Sequence, residues 1–117
     1  LLLGRPAADV DMAAFFDACA QSGTAVELNA NPQRLDLNVQ HLRMAKERGL
    51  KVSIAADAHS TAGLLHLEHG VVMARRAGLA KEDVLNCLSL PELKVWIATR
   101  RAVSTNTHAD GPAEAPC

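Results

Sequence analysis

Asp57 and His59 stand two residues apart in Asp57-Ala58-His59-Ser60, directly after the apolar run Val52-Ser53-Ile54-Ala55-Ala56. Side chains at i and i+2 just beyond the C-terminal end of a strand project the same way, into the crevice where α/β sheets do their chemistry. A carboxylate can bridge two cations and an imidazole suits zinc, manganese or iron, so the pair reads as one corner of a divalent metal centre. The same residues also read as a helix N-cap region beside an exposed histidine.

A second constellation follows the short β-prone run Thr24-Ala25-Val26-Glu27-Leu28. If the two strands are parallel neighbours, Glu27, Asn29 and the loop Asn31-Pro32-Gln33-Arg34 emerge at the same edge as Asp57 and His59. Arg34 carries a planar fork that pairs two phosphate oxygens at once, and Asn29 and Asn31 stand beside it as candidate substrate contacts. A solvated loop role for Arg34 and a buried, backbone-bonded role for Glu27 stay open.

The elements that must position these residues alternate. Asp11 is a candidate cap for a helix from Met12 to Gln21, with Phe15, Phe16 and Cys19 on one side and Gly23 as its left-handed stop. After the strand and the turn-rich Asn29-Ala30-Asn31-Pro32, Asp36 or Asn38 caps a second helix bearing Val39 and Leu42, which Gly49 closes. Lys51 to Ala56 forms the strand that delivers Asp57 and His59. Ser60 or Thr61 caps a helix to about Ala77, with Leu64, Leu67, Val71 or Val72 and Ala74 inward, Gly70 weakening its middle and Gly78 as its stop. Lys81 to Leu88 makes a short turn or two, and Ser89 caps a last helix with Pro91 in its first turn and Leu93, Val95, Trp96 and Ile97 on its inner face. Crossovers of this length imply α/β architecture with parallel strands.

The chain has 117 residues, 49% of them hydrophobic, and a formal net charge of −1, as expected of a small globular domain. It has no apolar stretch of about 18 residues and no signal peptide, since Leu1-Leu2-Leu3 is short and lacks a basic start, so no membrane association is expected and the cytoplasm is the default. Cys19, Cys87 and Cys117 form no CxxC pair, which argues against a zinc ribbon or a disulfide framework. Near-neutral charge gives no broad electrostatic footprint for nucleic acid, though it does not exclude one as substrate.

Glu27-Leu28-Asn29-Ala30-Asn31-Pro32-Gln33-Arg34-Leu35-Asp36-Leu37, followed some twenty residues on by Asp57-Ala58-His59-Ser60, resembles the C-terminal part of the PHP (polymerase and histidinol phosphatase) domain as it occurs in bacterial X-family DNA polymerases. The similarity runs on through Gly70-Val71, Ala74-Arg75-Arg76, Asp83-Val84-Leu85-Asn86 and Leu90-Pro91-Glu92-Leu93, and so covers residues 1–101. The resemblance implies a distorted barrel of seven βα units whose strand ends hold up to three divalent ions, manganese or zinc. It also implies phosphoester hydrolysis by metal-activated water, in a manganese-dependent 3′-5′ exonuclease acting on DNA 3′ ends, with an upstream polymerase domain and the rest of the barrel in the parent chain. By motif position, Asp57 would complete one metal site and His59 another.

The remaining ligands of that family belong to strands upstream of Leu1, so the chain is expected to be an incomplete domain, inactive alone, with a disordered tail over 102–117. A histidinol-phosphatase-like enzyme acting on a phosphate monoester, or an inactive remnant serving as an interaction module, are the alternatives. The other histidines are not recruited: His41 lies on the second helix, His66 and His69 on the third, His108 in the tail, and a half-exposed helix surface accounts for the 66/69 pair. Arg75-Arg76 and Arg100-Arg101 are expected near helix C-termini, where the macrodipole favours cations.

Overall fold

The computed structural model describes residues 9–106. In chain order these form α1 (Met12–Ser22), β1 (Val26–Asn29), α2 (Val39–Glu47), β2 (Val52–Ala55), a 3₁₀ segment (Ala62–His66) running into α3 (Leu67–Arg76), two 3₁₀ turns (Lys81–Asp83 and Leu85–Cys87) and α4 (Leu90–Asn106). The architecture is α/β, with β1 and β2 as a parallel pair in the register Val26↔Val52, Glu27↔Ser53, Leu28↔Ile54, Asn29↔Ala55.

Local chemistry sets most of the boundaries. The Asp11 carboxylate accepts from the Ala13 and Ala14 amides at 3.0 and 3.1 Å, capping α1, and Gly23 ends it at φ +68°. Asn38, rather than Asp36, caps α2 by accepting from His41 N–H at 2.9 Å. Ser89 and Glu92 cap α4 reciprocally: Glu92 Oε2 accepts from the Ser89 amide at 2.7 Å and from its hydroxyl at 2.5 Å. The Ser89 hydrogen bonds hold the Glu92 carboxyl below its ordinary pKa.

One core joins all the elements up to Val84. Alternate strand residues Val26, Leu28, Val52 and Ile54 are buried together with Phe16 and Cys19 of α1, Leu42 and Ala45 of α2, and Ala74 and Ala77. Phe16, Leu28, Leu42 and Val52 are completely buried, and each contributes about 2 kcal/mol relative to exposure. Burial also raises the Cys19 thiol pKa. On the opposite strand face Glu27 is exposed and Ser53 half-buried, so Glu27 is not the buried acid that its place in an apolar strand allowed.

Helix α3 departs most from its expected orientation. Leu64, Leu67, Val71 and Val72, four of the residues assigned to its inner face, are exposed, Leu64 at 58% and Val72 at 55%, whereas Gly63, Gly70 and Ala74 are buried. The reason is distance: a Cβ on Gly70 would fall 2.5 Å from Ile54 Cγ2 and 2.8 Å from Ala30 Cβ. Gly70 is therefore the point where the helix lies directly on the sheet. In α4, Val95 and Ile97 are likewise exposed, and only Leu93 and Trp96 of the expected face are half-buried. Arg100 stands well inside α4 rather than at its end, because that helix runs to Asn106. Residues 102–106, expected to begin a disordered tail, are therefore helical, and 107–117 lie outside the described residues.

The free edge of β2 is covered by side-chain chemistry. The Asn86 carboxamide accepts from Ile54 N–H at 2.8 Å and donates to Ile54 C=O at 3.0 Å, as a neighbouring strand would, and Val84 bridges Val52 in the parallel sense. Asn86→Ala should cost about 2 kcal/mol in urea denaturation, from two backbone groups left without partners. An unchanged midpoint would show that water replaces the amide at no cost. Nearby, burial tends to raise the Asp83 carboxyl, but the Ala80 amide at 2.8 Å and the Lys46 ammonium at 3.1 Å outweigh it and hold its pKa below the ordinary value. This ties the 3₁₀ turn to α2.

Candidate functional site

The parallel register brings the C-terminal ends of β1 and β2 side by side, and the chain keeps them joined one step further, with the Ala30 amide donating to Ala55 C=O at 2.7 Å. Beyond β1 the loop shapes itself. Asn29, only 4% exposed, accepts through Oδ1 from the Asn31 amide at 3.0 Å, and Asn31 Oδ1 accepts from the Gln33 amide at 3.0 Å. These are consecutive Asx turns, closed by Arg34 N–H to Asn31 C=O at 2.8 Å and by Asn29 N–H to Asp36 C=O at 2.6 Å. Both carboxamide oxygens are thus engaged in holding the loop that carries Arg34.

Arg34 Nε and Nη2 donate to the two oxygens of Asp36, each at 3.2 Å. Both side chains are roughly half exposed, so this fork adds little stability; its effect is to orient the guanidinium. The Asp36 hydrogen bond and charge raise the Arg34 pKa above its ordinary value, and Asp57 and Glu27 add to the field. The Asp36 carboxylate pairs the Arg34 cation directly, and the charges of Asp57 and Glu27 act on it from farther away. From the sequence Asp36 reads as a candidate helix cap and not as a partner of Arg34; the signal for that role is the Arg-x-Asp spacing, which places a carboxylate within reach of the fork.

On the β2 side the strand ends at Ala55, two residues before Asp57, and Asp57 takes a left-handed conformation at φ +51°. Extended period-two geometry therefore does not govern Asp57 and His59; a turn does. His59 is exposed, Asp57 half-buried, and His59 Nδ1 lies 2.8 Å from the Asp57 backbone carbonyl. An Nδ1–H donated to that carbonyl leaves the Nε2 lone pair free and directed outward, the tautomer suited to ligating a cation. Ser60 Oγ accepts from the Gly63 amide at 3.2 Å, so Ser60 rather than Thr61 holds the following turn.

The Asp57 carboxylate and the His59 imidazole with a free nitrogen are donor types that fit a divalent ion. Their number does not make a full shell, for which three or more protein ligands are usual: among the described residues no three His, Cys, Asp or Glu side chains form a metal-holding group. That includes His66 and His69, whose rings stand 6.3 Å apart. His41 packs edge-on against Phe16 at 6.3 Å, and His108 lies outside the described residues. No described helix is long and apolar enough to cross a membrane.

The chain is similar to the DNA polymerase/3′-5′ exonuclease PolX of Bacillus subtilis (strain 168), at 37% identity over 97 residues. The match covers 82% of this chain and 17% of that relative, so the chain spans about a sixth of the length of the curated protein it resembles. No protein-family model matches the chain.

Proposed function

We propose that this segment is one corner of a divalent-metal phosphoesterase of the PHP type, working on DNA 3′ ends within a longer protein of the PolX kind. The observation that carries the reading is the parallel register: it sets the Arg34 loop beside the Asp57-His59 turn at one end of a sheet, in a chain similar to a 3′-5′ exonuclease. In this reading β1 and β2 are two strands of the seven-unit barrel, and Asp57 and His59 donate to ions, manganese or zinc, whose remaining ligands come from the rest of the parent. When bound, such ions supply activated water and neutralise charge on the phosphate.

The chain's own residues have distinct tasks. Asp57 provides the negative charge, and the Asp57 carbonyl holds His59 with Nε2 outward. Arg34 pairs phosphate oxygens through the guanidinium edge that Asp36 leaves free, a contact that the neighbouring carboxylates would oppose unless cations balanced them. Asn29, Asn31 and Asp36 act through the loop, fixing where the guanidinium points.

The test is release of nucleotides from 3′-labelled single-stranded DNA by the complete protein. Release that needs added manganese and stops with a chelator is the expected result; absence of any metal-dependent release removes the reading. In that assay Arg34→Lys should raise KM about tenfold with a smaller change in kcat, because an ammonium replaces a two-pronged contact by a point charge. Unaltered kinetics would take Arg34 out of phosphate binding.

A further inference from the structure

Asp36 fills one edge of the Arg34 guanidinium, taking Nε–H and an N–H of Nη2, each at 3.2 Å. The edge between Nη1 and Nη2 meets no acceptor among the described residues. The two side chains are 46% and 41% exposed, so that edge is open to a ligand. The Asp36 carboxylate makes no other hydrogen bond or ion pair among the described residues. Its residue supports the loop by a different atom, the backbone carbonyl, which accepts from the Asn29 amide at 2.6 Å.

The Asp36 side chain therefore sets charge more than shape. An isolated guanidinium carries a full positive charge, and its attraction for a ligand grows with each negative charge on that ligand. A guanidinium already paired with a carboxylate keeps the planar donors of its free edge but has almost no net charge. A ligand on that edge also meets the Asp36 carboxylate from across the guanidinium, and this repulsion doubles from a monoanion to a dianion. The charges of Asp57 and Glu27 act in the same direction from farther away.

We infer that Asp36 determines the substrate class of this site, making Arg34 selective for the phosphodiester of a DNA strand over the monoester of a terminal phosphate. A phosphodiester carries a single negative charge, whereas a terminal monoester carries about −1.5 to −2 at pH 7. Both offer the same oxygens to the same donors, so charge is what separates them. This selectivity rests on the phosphoesterase reading, with Arg34 facing the substrate phosphate, and adds to it a division between nuclease and phosphatase chemistry at one side chain.

The test uses the complete protein with manganese and one single-stranded oligodeoxynucleotide in two forms. One ends in a labelled nucleotide with a free 3′ hydroxyl, so nucleotide release reports diester hydrolysis. The other ends in a labelled 3′ phosphate, so phosphate release reports monoester hydrolysis. Asp36→Asn keeps the size and loses the charge; it should move the ratio of kcat/KM for the two forms about fivefold toward the monoester, with bound metal unchanged. Asp36→Glu keeps the charge and should hold the ratio of the unaltered protein. A ratio unmoved in Asp36→Asn, including one in which both rates fall equally, overturns the selectivity, as does a shift of the same size in Asp36→Glu. In either case metal-dependent release by the unaltered protein still supports the phosphoesterase reading. Absence of metal-dependent release from both forms by the unaltered protein removes that reading and the selectivity together.

Discussion

Asp57→Asn in the complete protein should lower bound divalent metal and the rate of 3′-end hydrolysis together, each by at least about tenfold. The replacement is the right one because of the backbone. Asp57 sits at φ +51°, a conformation that asparagine accepts as readily as aspartate and that most other residues resist. Asparagine also keeps the main-chain carbonyl that faces His59 Nδ1 at 2.8 Å, so the imidazole keeps its tautomer and orientation. What is lost is the negative charge, which is what a cation needs from this position. Asp57→Ala would mix that loss with backbone strain and is a poorer test. Metal content measured by atomic emission and hydrolysis measured on labelled DNA must fall in parallel; a variant that retains both would show that Asp57 is a turn residue and not a ligand.

Gly70→Leu should destabilise the fold by about 3 kcal/mol, and even Gly70→Ala should be destabilising. Helix propensity alone argues the other way, since alanine is favoured over glycine by about 1 kcal/mol in a helix interior. The contact distances decide the sign. A Cβ at 2.5 Å from Ile54 Cγ2 and 2.8 Å from Ala30 Cβ requires movement, and Ala30 cannot yield by rotating a side chain. It must shift with its backbone, which is joined to Ala55 C=O by its amide. That displacement passes into the loop bearing Asn31 and Arg34, so phosphate binding should weaken along with stability. Urea midpoints give the stability change; an increase for Gly70→Ala would mean that α3 does not rest on the sheet.

Much of the local structure was legible because it is made of nearest-neighbour chemistry. Asp11, Asn38 and the Ser89-Glu92 pair satisfy amides within three residues of themselves, and Gly23 and Gly49 adopt the left-handed conformation that ends a helix turn. The two strands and their parallel sense follow from apolar runs separated by a helix-length crossover. The inward face of α3 was not legible in the same way. Its leucines and valines carry the periodicity that usually marks a buried stripe, yet the helix approaches the sheet too closely for them and presents Gly70 and Ala74 instead.

The sequence by itself determined the element order, the caps, and which residues of chelating or phosphate-pairing type follow each strand, because these depend on residue identity and short spacing. Only the tertiary structure decided that Arg34 is held by Asp36 and lies in the field of Asp57 and Glu27. It likewise decided that Asn86 closes the edge of β2. Such arrangements join residues tens of positions apart, and their energies depend on distance and burial in space, which no pattern along the chain specifies.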